Sequence, residues 1–176
     1  MDQLSKLCVC LTILLIFTGC AVLRPNTKPI ILDGDAVPDM NVSSSVSLRN
    51  GAINTGEVVI GEYPGFKFYG DYYQFTETAI GTAKSILSGQ NILVEKEADK
   101  TLELKVTKTV AEQLFFRPYR VTVEMEVKLG SGGNKNYTGI VSHWNNYVTT
   151  HSIEVAIAKC VKEMLKDDEV LNYLRK

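Results

Sequence analysis

Tyr119-Arg120-Val121-Thr122-Val123-Glu124-Met125-Glu126-Val127-Lys128-Leu129 is the stretch whose reading decides the fold. Tyr119, Val121, Val123, Met125, Val127 and Leu129 alternate with Arg120, Thr122, Glu124, Glu126 and Lys128. Successive side chains of a strand point to opposite faces, so this segment carries one apolar and one charged face. A strand wet on one side belongs in an antiparallel sheet whose other side is covered.

The same period of two appears on either side. Upstream, Leu102, Leu104 and Val106 alternate with Glu103, Lys105 and Thr107 after a turn at Asp99-Lys100, and Ile92 and Val94 begin a further extended segment. Earlier still, Val42, Ser44, Val46 and Leu48 alternate with Ser43, Ser45 and Ser47, and Asn50-Gly51 closes that strand. Downstream, Gly130-Ser131-Gly132-Gly133-Asn134 reads as a hairpin turn into another strand from Tyr137 to Trp144. Residues 51–70 read as irregular, with Gly51, Gly56, Gly61, Gly65 and Gly70 spaced through them and a short extended piece at Val58, Val59 and Ile60. Residues 109–118 read as a bridge between strands.

Two segments change period. From Asp71 to Ser88, Tyr72, Phe75, Ala79, Ala83, Ile86 and Leu87 fall on one helical face, with Asp71 as cap and Gly89 as stop. From His151 to Lys166, Ile153, Ala156, Ile157, Cys160, Val161, Met164 and Leu165 form a stripe, with Thr150 or Ser152 as cap. Asp167-Asp168 then opens a final turn holding Val170, Leu171 and Leu174. Every strand shows a single apolar face. The expected fold is therefore α+β: one antiparallel sheet of about four strands with two helices packed on one face, in the order strand, helix, strands, helix.

Composition narrows the function classes. Hydrophobic residues are 45% and charged residues 22%, the balance of a folded chain with a sizeable core. A net charge of -1 leaves no basic footprint for nucleic acid. Asp33, Asp35 and Asp39 lack the twelve-residue spacing and closing glutamate of a calcium loop. The glycines at 130–133 precede a strand, whereas a phosphate-cradling loop opens a helix. His143 and His151 have no Glu or Cys at ligand spacing, and no Ser or Cys stands in a nucleophile motif. Cys160 falls on the apolar face of its helix and reads as a small buried hydrophobe. No catalytic residue, cofactor or metal is expected.

Tyr63, Phe66, Phe68, Tyr69, Tyr72, Tyr73 and Phe75 cluster in sequence. Two readings stand. The rings pack the first helix on the sheet, or Tyr69, Tyr72, Tyr73 and Phe75 line a groove for a protein partner or a lipid tail.

The beginning of the sequence reads as an export leader. Lys6 supplies positive charge, Leu7 to Phe17 are apolar apart from Thr12, and small residues lead to Cys20. The run is too short to span a bilayer. Phe17-Thr18-Gly19-Cys20 resembles the bacterial lipoprotein signal, whose usual form is Leu-Ala/Ser-Gly/Ala-Cys. The resemblance implies cleavage before Cys20 and acylation of its thiol, each acyl chain adding about 0.8 kcal/mol per buried methylene. Residues 1–19 are then the signal peptide, 20–41 the acylated cysteine and a proline-containing flexible tether, and 42–176 one globular domain. Cys8 and Cys10 leave with the leader. Ala21, standing where a retention aspartate would keep such a protein at the inner membrane, implies the outer membrane, facing the periplasm.

The order of elements, together with Val46-Ser47-Leu48-Arg49-Asn50-Gly51, Leu102 to Thr107, Gly133-Asn134-Lys135-Asn136-Tyr137 and Met164 to Leu174, resembles the YajG-type lipoproteins of Gram-negative bacteria. The resemblance implies no catalytic residues; the anchor and the lack of a catalytic constellation together lead to the expectation of a non-enzymatic envelope lipoprotein, held to the membrane by its acyl group, that binds a protein partner or organises an assembly and is open to oligomer formation. An alternative is an accessory lipoprotein of a lipid or lipopolysaccharide transport system.

Overall fold

The computed structural model describes residues 21–31, 37–53, 56–63, 66–112, 118–144 and 150–176. The expected leader 1–19 and the acylation position Cys20 lie outside the described residues, as do Asp33 and Asp35. The elements run β1 (Ala21–Leu23), β2 (Val46–Asn50), β3 (Val58–Tyr63), β4 (Phe66–Gly70), α1 (Tyr72–Gly89), β5 (Lys100–Glu112), β6 (Tyr119–Leu129), β7 (Asn134–His143), α2 (Thr150–Met164) and α3 (Asp168–Arg175).

The inward row of β6 is buried along its whole length, from Tyr119 to Leu129, as its alternation requires. This strand sits between β5 and β7, antiparallel to both. The apolar stripes of α1 and α2 close over that face. Phe75, Ala79 and Leu87 of α1 and Ile153, Ile157 and Val161 of α2 join Leu104, Val123 and Met125 in one core. Its tightest point is Gly139 of β7, where an added Cβ would stand 1.9 Å from the Ala156 carbonyl oxygen of α2. Only a residue without a side chain lets the helix come that close. On the opposite face, charge alternates across the strands in register: Arg49, Glu103 and Lys128 share a row, as do Lys105 with Glu126 and Glu112 with Arg120.

The fold is α+β, but the single antiparallel sheet is corrected. Among the described residues there are two mixed sheets, β2-β5-β6-β7 and β1-β4-β3, and three helices. β2 runs parallel to β5 because α1 lies between them in sequence and carries the chain back to its starting end. Ile92 and Val94 form no strand of their own; Val94 makes an isolated bridge to Val46. Residues 109–112, read as part of a bridge between strands, continue β5. A bulge between Val106 and Lys108 inserts one residue, so the inward parity passes from Leu102, Leu104 and Val106 to Thr109 and Ala111. A reading by strict alternation stops where that parity breaks.

The glycine-rich stretch 51–70 is corrected in the same way. Its described parts form the β3–β4 pair. Gly61 is required by close approach, since its Cβ would stand 2.7 Å from the Ala111 carbonyl of β5. Gly70 lies under Phe75, whose ring would be 2.6 Å from a Cβ there. Both residues mark where the small sheet meets the rest of the domain.

The stretch expected as a free tether, 20–41, is in its described parts laid along the domain. β1 pairs in parallel with β4. The Thr27 and Thr78 hydroxyls share a buried hydrogen bond of 2.7 Å, and Thr82 Oγ1 accepts the Ile30 amide at 3.2 Å. Pro29 sits against Gly81, where a Cβ would be 2.4 Å from its ring. Further on, Met40 is buried and its carbonyl accepts from Arg175 Nε at 2.8 Å. The physical cause is a row of small polar residues on α1 that offers a seat for backbone.

α3 closes the far end. Asp167 caps it by accepting from the amides of Glu169 and Val170, and Lys135 of β7 bridges Asp167 and Glu169. The Tyr173 hydroxyl accepts the Thr101 amide of β5 at 2.9 Å.

Candidate functional site

The aromatic residues expected to form a groove come from β4 and from the first turn of α1. They do not share one environment. Phe75 has no exposed surface and packs in the core, so it cannot line an open groove. Tyr72 is half-buried, tilted against Phe75 at 6.4 Å between ring centroids, and its hydroxyl accepts the Thr109 amide at 3.4 Å. That hydroxyl is committed to the edge of β5. Tyr69 is half-buried on the outer face of the small sheet, where the Arg24 guanidinium lies 6.0 Å from its ring. Tyr73 is 39% exposed and stands alone among the four in presenting a large free surface.

The small sheet also presents exposed apolar side chains that the sequence pattern did not single out. Val22 is 44%, Leu23 43%, Val59 45% and Phe66 43% exposed. Register divides them between the two faces of the sheet: Leu23 lies beside Phe68, on the face of Phe66, whereas Val22 lies beside Lys67 and Val59 beside Tyr69 on the other face. Charges among them are paired. Arg24 Nε meets Glu57 at 2.7 Å, and Lys67 meets Glu62 at 2.9 Å. Such exposed pairs contribute about 1 kcal/mol or less, but they leave this surface without net charge. The alternation of Phe66, Phe68 and Gly70 was the sequence signal for β4, whose row turns inward at Phe68 and leaves Phe66 exposed at its start. The aromatic and glycine content of 51–70 masked it.

Tyr63 belongs to the same sheet, edge-on to Phe68 at 5.3 Å. Burial and the Glu112 carboxylate push its phenol up to about 12. It titrates outside the range of acid–base chemistry near neutrality. Cys160 is fully buried, and its thiol donates to the Val123 carbonyl at 3.4 Å. Burial pushes it up to about 12, so it is a packing residue, as its place on the helix suggested. His143 is exposed at the end of β7, and His151 Nδ1 lies 3.4 Å from Glu154. Among the described residues no three His, Cys, Asp or Glu side chains stand close enough to hold a metal.

A depression of about 330 Å³ lies on the outer face of the large sheet between Arg49, Thr101, Glu103, Lys128 and the glycines of the β6–β7 turn. Its two cations, Arg49 and Lys128, flank the Glu103 carboxylate in register, so each has an acidic neighbour on the open face of the sheet.

No family model matches this chain, and no curated protein matches it. Among solved structures, the crystal structure of a Xanthomonas campestris protein of the family DUF330 aligns over 88% of this chain and 94% of its own, at 14% identity and a TM-score of 0.48. A second, of an uncharacterized protein, aligns over 84% of this chain and 94% of its own, at 9% identity and a TM-score of 0.38. Neither likeness carries an argument about chemistry, and neither confirms the resemblance to the YajG type. No described helix is long and apolar enough to cross a membrane.

Proposed function

We propose that this chain is an acyl-anchored cell-envelope lipoprotein that acts as a non-enzymatic binding or assembly module. The observation that carries the reading is the junction at Cys20. An apolar run and the tetrad Phe17-Thr18-Gly19-Cys20 directly precede Ala21, the first residue of β1. Cleavage before Cys20 would remove the leader and leave the domain intact, with its thiol ready for a diacylglycerol group. The exposed apolar surface of the small sheet, next to that junction, supports a role in contact rather than catalysis. Ala21 in place of an aspartate favours the outer membrane, facing the periplasm.

Growth of the producing cells with a clickable fatty acid tests the anchor. The expected result is label on the wild-type chain, none on Cys20→Ser, and transfer of the variant from the membrane to the soluble fraction. Label retained by Cys20→Ser overturns the reading. Crosslinking in intact envelopes then tests the binding role, and a chain that crosslinks to no protein removes it.

A further inference from the structure

We propose that one end of the molecule, the end carrying Ala21, Phe66 and Trp144, lies against the lipid surface; this rests on the reading of Cys20 as the acylated residue. The first argument is the length of the leash. A free tether of residues 20–41 would let the domain stand off by about 25 Å, taking roughly 5–6 Å times the square root of the residue number. The folded chain instead enters β1 at Ala21, and neighbouring Cα atoms are about 3.8 Å apart. An acyl group on Cys20 therefore holds the beginning of β1 at the membrane.

The second argument is register. Ala21 lies beside Phe66 and Phe66 beside Tyr63. Gly61, two residues before Tyr63, abuts Ala111, where an added Cβ would stand 2.7 Å from the Ala111 carbonyl oxygen; the next residue, Glu112, pairs with Arg120, and Arg120 with Ser142. One row thus crosses both sheets and ends two residues before Trp144. Trp144 is 79% exposed, the largest apolar side chain given to solvent among the described residues. An indole with that exposure suits the headgroup layer, where its apolar body and its N–H are both satisfied. Phe66, 43% exposed, stands in the same row.

Charge specifies the kind of contact. Arg24 pairs with Glu57, Lys67 with Glu62, and Glu112 faces Arg120. Among the described residues this surface has no excess of cations to attract anionic lipid, so apolar insertion carries the contact and salt leaves it largely unchanged.

The chain's single tryptophan makes the test direct. Acylated protein is reconstituted into vesicles of phosphatidylethanolamine and phosphatidylglycerol, with the mass of the mature chain reporting the acyl group. Nitroxide lipids labelled at the headgroup serve as quencher. A fluorophore on Ser131→Cys is the reference; it lies at the exposed opposite end of β6, roughly 30 Å from Val121 at about 3.3 Å per residue. Cys160 is buried and does not compete for the label. The expected result is several-fold stronger quenching of Trp144 than of the reference, with blue-shifted emission that high salt does not reverse. Phe66→Glu reduces that quenching while the acyl mass stays. Equal quenching at the two positions, with the acyl group present, overturns the proposal and leaves the anchor standing. Protection of Trp144 that disappears on dilution of protein in lipid assigns the surface to a second copy and overturns it too. An unmodified Cys20 overturns the anchor itself, and the mass shows this before any fluorescence is read.

Discussion

The Thr76 hydroxyl accepts the Val106 amide at 2.9 Å, and both residues are buried. This bond lies where β2 has run out. β2 pairs with β5 only as far as Asn50 and Leu104, and Gly51 closes with the Leu104 carbonyl at 2.8 Å. Beyond it the edge of β5 is met by Thr76, then by the Tyr72 hydroxyl at Thr109, then by Gly61 of β3 at Ala111. An unpaired edge invites pairing with another chain, and here two side chains of α1 seal the gap between the two sheets. Thr76→Val therefore leaves a buried amide without an acceptor and costs about 1–3 kcal/mol in urea unfolding, whereas Thr76→Ser retains most of the stability.

Gly139 tests the closeness of α2 to β7. A Cβ there meets a backbone oxygen at 1.9 Å, which no rotamer change relieves. Gly139→Ala is expected to destabilise by about 2 kcal/mol or more, as the helix must lift from the sheet. Gly89→Ala is the control, with nothing within 4 Å of its Cβ at the end of α1. It is expected to be neutral or to stabilise by up to about 1 kcal/mol.

The Cys160 thiol should stay unreactive in the folded chain. Burial both raises its pKa to about 12 and bars access of reagent. Ellman's reagent at pH 8 is expected to label it only at the rate of global opening, with a rise in proportion to the destabilisation in Gly139→Ala. Fast labelling of the native chain contradicts the burial.

Asp167 predicts an acid dependence. Burial works to raise its pKa, but the Glu169 and Val170 amides, the Tyr137 hydroxyl and the Lys135 ammonium together hold it below its ordinary value of 3.8. A carboxylate depressed by folding stabilises above its unfolded pKa and loses that contribution as pH falls through the folded one. The stability gap between wild type and Asp167→Ala should therefore be about 1 kcal/mol near neutrality. It should narrow as pH falls below 3.8. Urea midpoints taken across that range check it.

Gly81 tests the seat of residues 27–30. A Cβ at Gly81 would be 2.4 Å from the Pro29 ring, so Gly81→Ala must displace the segment. Limited proteolysis is expected to cut between residues 24 and 31 several-fold faster than in wild type. The helix itself gains roughly 1 kcal/mol from the alanine, which offsets part of the lost contact.

Much of the secondary structure was legible because its periods are local. The alternation of β6, the Asp71 cap and the stripes of α1 and α2 lie where the residue patterns place them. The extension of β5 was not legible, because one bulged residue at Thr107 reverses the parity on which the reading depends. Nor was the seat for the beginning of the chain. Thr78 and Thr82, which hold Thr27 and Ile30, are weak helix formers on a strong helix, and that departure was the available signal. For the candidate site, the tyrosines and Phe75 were visible as a cluster, but their division between core, sheet edge and solvent was not.

By itself the chain of residues determined the strands β2, β6 and β7, the first half of β5, the helices α1 and α2 with the apolar side of each, and the tetrad that ends at Cys20. Those properties follow from chemistry between near neighbours. Tertiary structure alone decided that β2 runs parallel to β5, that the strands divide into two sheets, and that Ala21–Leu23 belongs to the domain. Each of these depends on backbone groups far apart in sequence finding partners, and on glycines such as Gly61 and Gly139 letting elements meet. Local periodicity carries no record of such partners.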